Sequence, residues 1–171
     1  MNSTERRNSI IKMLTESSNP ISGLYLANEL NVSRQIIVGD VALLRASGVD
    51  IIATPKGYIL NKQNSTEAYL IKTIACKHSR DVIEDELNTI VDEGSTVVNV
   101  IVEHPVYGQL TGDLHLSSRR DVAEFLNKMH SDAVNPLSQL TDGIHLHTIK
   151  CKDEKEYNNV LKALSDKNYL L

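Results

Sequence analysis

The sequence predicts an α+β protein built as two units, and three observations carry that prediction. Residues 1–60 hold three segments of helical period followed by two β-prone triplets. Residues 68–171 alternate β-prone runs with capped amphipathic helices, and the stretch between, 61–67 (NKQNSTE), is polar and unpatterned, as a linker is. A chain of 171 residues has room for two small domains. Its composition, 41% hydrophobic and 23% charged, is that of a packed chain and not of a disordered one.

The elements follow in order. Ser3 or Thr4 caps a first helix running to Glu16, with Ile10, Ile11 and Leu14 as its apolar stripe and SSNP as its stop. Ser22 caps a short helix, GLYLANEL, whose Leu26, Ala27 and Leu30 share a side. After Asn31-Val32, Ser33 opens a third helix in which Ile37, Val41 and Leu44 recur at helical spacing until Gly48 stops it. Two short helices joined by a tight turn, the second capped, spell helix-turn-helix. The triplets IIA and YIL, joined by Thr54-Pro55-Lys56-Gly57, form a hairpin beside it, so residues 1–60 are expected to be a winged helix-turn-helix.

In such a unit the first turn of the third helix enters the DNA major groove, where short polar side chains reach base edges. Ser33, Arg34 and Gln35 occupy that turn, and Lys56 at the hairpin tip is placed to meet a phosphate. The charge of this half, six Lys and Arg against five Asp and Glu, permits DNA contact without requiring it. The alternative is a protein-interaction module with Arg34 and Gln35 merely solvated. Through NVSRQIIVGDVALLRASG and IIATPKGYIL, the segment resembles the compact winged helix of biotin-ligase repressors and many metabolite-responsive regulators. It departs from that pattern at Ile36, Val38 and Gly39, so direct base reading is expected to be sparse.

In the second unit, strands are expected over 69–77, 96–104, 106–116 and 144–151, and helices over 79–94, 118–132 and 153–167. The order βαββαβ plus a terminal helix predicts a ferredoxin-like antiparallel sheet with helices on one face. Cys76 and Cys151 stand far apart without a CxxC spacing and are expected to be core thiols. With no Trp and one Phe, the chain offers no aromatic platform for single-stranded nucleic acid. It shows no membrane-length apolar run, and its start MNSTERRNSI is unlike a signal peptide, so a cytoplasmic protein is expected.

All six histidines, at 78, 104, 115, 130, 145 and 147, lie in this second unit. His145 and His147 alternate along a strand and so share a face. His78 ends the first strand, expected near the last, and Glu86 lies two turns into the helix that follows. Three imidazoles and a carboxylate suit zinc, nickel, iron(II) or cobalt better than calcium or magnesium. The same pair also fits a solvated strand face, and spacing alone leaves that choice open.

The segments CKHSRDVIEDEL, VEHPVYGQLTGDL and GIHLHTIKC together resemble the 3H domain, named for three histidine-containing motifs. Joined to the winged helix, the whole chain resembles the NiaR/YrxA family of nicotinate-responsive repressors of NAD biosynthesis and niacin-uptake genes. The resemblance implies a homodimer on palindromic operator DNA, with nicotinic acid as co-repressor. It also implies a divalent transition metal held by His78, Glu86, His145 and His147. His104 and Tyr107, in a turn shaped by Pro105 and Gly108, are expected to line the ligand pocket, with a structural role in that turn as the alternative. Leu170 and Leu171 offer a pairing surface, and His115 and His130 carry no expected role. A rival of another class is a small metal-dependent hydrolase using Glu84, Asp85 or Glu86 as base, although no HExxH, phosphate loop or GxSxG elbow occurs.

Overall fold

The computed structural model describes residues 2–61 and 68–171. The chain divides into two compact units, Met1–Ser65 and Thr66–Leu171. Apart from Asn61, the linker expected at 61–67 lies outside the described residues.

In the first unit, α1 (Ser3–Glu16), α2 (Gly23–Glu29) and α3 (Arg34–Ala46) precede an antiparallel hairpin of β1 (Ile51–Thr54) and β2 (Gly57–Leu60). The cap of α1 is Asn2, one residue before the expected Ser3 or Thr4: its side chain accepts from the Glu5 amide, and Glu5 returns the bond to the Asn2 amide. Ser22 and Ser33 cap α2 and α3 as expected, accepting from the amides of Tyr25 and Ile36. Ile10, Leu14, Leu26, Ile37, Val41, Leu44 and Ile51 bury the facing stripes together. Asp40, on the inner side of α3, is 4% exposed and accepts from the Arg6 guanidinium of α1, which ties the third helix to the first. The hairpin is docked by paired bonds of 2.8 Å between Ile21 and Tyr58. That docking requires glycine at 57, where φ is +135° and a Cβ would lie 2.3 Å from the Ile21 carbonyl oxygen.

The second unit runs β3 (Leu70–Lys77), a 3-10 turn (Arg80–Val82), α4 (Ile83–Asp92), β4 (Thr96–His104) and β5 (Gly108–Leu116). It continues through α5 (Arg119–Ser131), a second 3-10 turn (Leu137–Thr141), β6 (Ile144–Cys151) and α6 (Glu154–Asp166). The helix expected from residue 79 thus starts with a 3-10 turn and becomes α-helical at Ile83. The four strands form one antiparallel sheet in the order β3-β6-β4-β5.

This is the α+β class and the βαββαβ element order that the sequence predicts, with a different strand order. A ferredoxin-like sheet centres its first and third strands, whereas here the second and fourth, β4 and β6, are central. The short turn after His104 pins β5 to one side of β4, and β6 takes the other side. Ile74, Leu87, Ile90, Val97, Leu116, Val122, Ile149 and Leu164 form the core between sheet and helices.

The free edge of β3 is covered in part by the end of the chain. Lys77 donates to the Tyr169 carbonyl at 2.9 Å and Leu171 donates to the Ala75 carbonyl at 3.0 Å. Leu170 therefore packs against the core, contrary to its expected place on a pairing surface, while Leu171 is 71% exposed. Among the described residues no helix is long and apolar enough to cross a membrane.

Candidate metal centre and DNA-reading helix

Strand alternation assembles the first side of the centre. In the β3–β6 register Cys76 stands opposite His145 and Ile74 opposite His147, so these side chains share the helix-covered face of the sheet. His78, two residues beyond Cys76, continues that face past the strand end. Glu86 descends onto it from the first turn of α4, in line with Ile83 and Ile90 of the same helix stripe. The cluster is dry: Glu86 is 1% exposed, and His145 and His147 are 3% each.

The Glu86 carboxylate is the hub. Its Oε1 lies 2.9 Å from His145 Nε2 and 3.4 Å from His147 Nε2, and its Oε2 lies 2.7 Å from His78 Nε2. Each imidazole is oriented from behind by its other nitrogen. His78 Nδ1 is 2.9 Å from the Ser79 carbonyl oxygen, His145 Nδ1 2.8 Å from that of Gly143, and His147 Nδ1 2.7 Å from that of Asn99. A ring nitrogen beside a carbonyl must carry the proton, so in the neutral rings all three Nε2 lone pairs point inward at a carboxylate.

Lone pairs facing a buried anion repel it unless a cation intervenes. Burial pushes the Glu86 carboxyl up, yet the imidazoles of His145, His147 and His78 outweigh it and hold the group well below the usual carboxylate range. Burial pushes His78 down, but Glu86 and the Ser79 carbonyl reverse that and leave its pKa raised. The Nε2 atoms of His78 and His147 are buried without a properly aligned hydrogen-bond partner.

A transition metal fits these donors. Two ligands about 2.1 Å from one ion stand roughly 3.0 Å apart at a right angle and about 3.4 Å at a tetrahedral angle. Of the carboxylate-to-imidazole separations, 3.4 Å matches the tetrahedral value, while 2.9 and 2.7 Å fall short of the right-angle value and would open as an ion enters. Carbonyl partners on the outer nitrogens are the usual support of metal-binding histidines.

The surroundings close the centre. Gly143 has φ +87°, and a Cβ there would lie 2.3 Å from the His78 carbonyl oxygen, so only glycine lets the turn before β6 approach His78 and present its carbonyl to His145. Tyr169 sets its ring edge-on to His78, centroids 5.4 Å apart, and its hydroxyl donates to Asp85 at 2.7 Å. That bond raises the phenol pKa to about 12, and Lys167 donates to both oxygens of the same carboxylate at 2.9 and 2.8 Å. Burial pushes the Cys76 thiol up, with the Glu86 charge adding to it.

In the first unit Ser33, Arg34 and Gln35 form the exposed opening of α3, and Lys56 is exposed at the tip of the hairpin. These are the positions a major-groove helix and a wing present to DNA.

Residues 6–59 match the HTH domain family and residues 71–171 match the 3H domain family. The chain is 43% identical over 167 residues to the probable transcription repressor NiaR of Thermotoga maritima, covering 98% of this chain and 94% of that protein. It is 42% identical over 167 residues to the transcription repressor NadR of Bacillus subtilis, covering 97% and 93%. This chain belongs to the NiaR/NadR family of transcription repressors.

The relatives are named as repressors and not as enzymes, which removes the hydrolase alternative. An HTH domain in a repressor makes duplex DNA its partner. Of the sequence-derived residues, His78, Glu86, His145 and His147 of this repressor come together around one carboxylate. His104 and Tyr107 lie elsewhere: His104 Nδ1 accepts from the amides of Val106 and Tyr107 at 3.1 and 3.2 Å, and Tyr107 is 75% exposed. Their neighbours Pro105 and Gly108 line a cleft of about 640 Å³ together with Ile101, Ile144, Leu146 and His145.

Cys76, expected as a core thiol, is buried as expected and stands beside the site, and Asn99 and Gly143 shape the site without having been expected there. Cys76-x-His78 has the same two-residue period as His145-x-His147, which is the signal that would have placed the thiol on that face. Asn99 orients His147 through its backbone carbonyl, which leaves no side-chain signature, whereas Gly143 is required as glycine and heads the GIHLH segment.

Proposed function

We propose that this repressor controls genes of NAD biosynthesis and niacin uptake, with a divalent transition metal in its second unit and nicotinic acid as co-repressor. The observation that supports this most strongly is the convergence of three buried Nε2 atoms on Glu86, each ring oriented by a backbone carbonyl. His78, Glu86, His145 and His147 would hold zinc, nickel or iron. When bound, the ion supplies a positive, electron-pair-accepting centre for a pyridine nitrogen or a carboxylate.

A second feature is a cleft lined by Ile101, Ile144 and Leu146, which alternate with the imidazole-bearing positions and so face the other side of the sheet, with His145 at its edge. Ile101, Pro105, Ile144 and Leu146 offer an apolar slot for a flat ring, and the His104–Tyr107 turn stands at its rim. Two copies, paired as a homodimer, would present two α3 helices to half-sites about one helical turn of DNA apart. Arg34 and Gln35 would meet base edges there, with Ser33 and Lys56 on phosphates. Nicotinic acid acts as co-repressor by binding the DNA-competent arrangement more tightly, and DNA must then tighten nicotinic acid by the same factor. Operators are cytoplasmic in bacteria, and the protein would act there.

An anisotropy titration of the metal-loaded chain on its own upstream DNA, with nicotinic acid, with nicotinamide and with neither, tests this reading. Tightening by nicotinic acid alone is the expected result. Binding indifferent to both pyridines rules out the effector, and no binding rules out the assigned DNA contacts.

A further inference from the structure

We propose that Cys76 is a sulfur donor to the metal centre, making the ligand set three imidazoles, one carboxylate and one thiolate. The inference rests on the four-residue metal site of the proposed function and adds a fifth protein group to it.

The geometry carries it. Cys76 is 0% exposed and sits on the sheet face directly opposite His145, two residues before His78. Its Sγ, a Glu86 oxygen and a His145 nitrogen lie within 4.8 Å of one another. Metal–sulfur and metal–nitrogen bonds of about 2.3 and 2.1 Å let one ion join a sulfur and a nitrogen roughly 3.1 Å apart at a right angle and roughly 4.4 Å apart when they stand opposite each other, so entry of the ion must draw the thiol and the imidazole together. The nitrogens of His78 and His147 that point into the same space are buried and without an aligned partner. The space is therefore lined by imidazole nitrogens and a carboxylate and bounded on one side by a thiol.

The second cysteine shows what an ordinary core thiol looks like in this fold. Cys151, also 0% exposed, accepts a hydrogen bond from the Ser95 hydroxyl at 3.3 Å and stands at the far end of β6 from His145. Cys76 instead faces the carboxylate hub.

Ligation requires the thiol to give up its proton to solvent as the ion enters, with no change of oxidation state. A thiolate favours softer borderline ions such as zinc, cobalt and nickel over manganese and magnesium. With five protein donors, a six-coordinate ion would keep one position for a donor atom of an effector.

Cobalt(II) loading of the full chain, followed by absorption spectroscopy, tests the proposal. Visible d–d bands report binding, and a near-ultraviolet sulfur-to-cobalt charge-transfer band reports thiolate ligation. The wild-type chain should show both. The charge-transfer band should vanish in Cys76→Ser, which keeps the d–d bands, and persist in Cys151→Ser. Wild-type d–d bands without the charge-transfer band would overturn the sulfur ligand and leave the four-residue site standing. No cobalt bands in the wild type would overturn the site itself and the proposal with it.

Discussion

Each unit of this repressor buries a carboxylate, and the two are treated differently. Asp40 in the DNA-reading unit is 4% exposed and is paired with arginines supplied by α1, so its charge is balanced within the fold. Glu86 in the 3H unit is 1% exposed and faces three imidazole nitrogens whose partners on the far side already fix their protons. Its balance must come from protons or from a metal. A unit whose charges close internally is a constant scaffold for Arg34 and Gln35, whereas one left electrostatically open changes state with what it binds.

The contrast predicts its largest effect in metal dependence. Excess zinc or nickel should raise the unfolding temperature of the 3H unit in calorimetry, by the equivalent of about 4 kcal/mol at a thousandfold excess over Kd. The transition of the DNA-reading unit should stay where it is, and equal movement of both would break the comparison. Glu86→Gln should abolish most of that stabilisation.

DNA affinity comes next. Arg34→Ala should weaken operator binding by roughly tenfold or more, the usual loss for a base-contacting arginine. A loss no greater than that of an alanine placed at Asn61 would show that α3 is not the reading helix.

Acidity should release metal in a defined direction. The raised pKa of His78 means that, without metal, its ring keeps a proton above the ordinary 6.5. As pH falls through that raised value, protons compete for Nε2 and metal affinity should drop, while Glu86, with its depressed pKa, stays ionised and does not limit binding. A zinc affinity that is flat from pH 8 to pH 6, roughly the span over which imidazoles titrate, would contradict this.

Asp40→Ala should cost less, lowering the unfolding temperature of the DNA-reading unit by roughly 5 °C. Lys56→Ala is the smallest: a uniform weakening across DNA sequences, with the salt slope reduced by about one.

The features legible in the sequence were local ones. The caps Ser22 and Ser33, the stripe Ile37–Val41–Leu44, the hairpin turn and the shared face of His145 and His147 each follow from spacings of two to seven residues. His78 and Glu86 were placed by topology together with family resemblance, and the structure brings both to the cluster. The central position of β6 was not legible, because it depends on which strand edge is free after β4 and β5 pair. For the same reason the pairing of Leu170 with Cys76 is not legible in the sequence, nor is the strap that carries Tyr169 to His78. His104 shows the opposite limit: its motif suggested a ligand contact, while its Nδ1 is engaged by the amides of its own turn.

The central claim is that the 3H unit is completed by a metal on His78, Glu86, His145 and His147. Calorimetric titration of nickel or zinc into the chelator-stripped chain, repeated with His145→Ala and with His147→Ala, tests it most directly. The account predicts a single ion per chain in the wild type and the loss of that binding in both variants with their folds intact by circular dichroism. Unchanged stoichiometry and affinity in the variants, or no binding in the wild type, would contradict it.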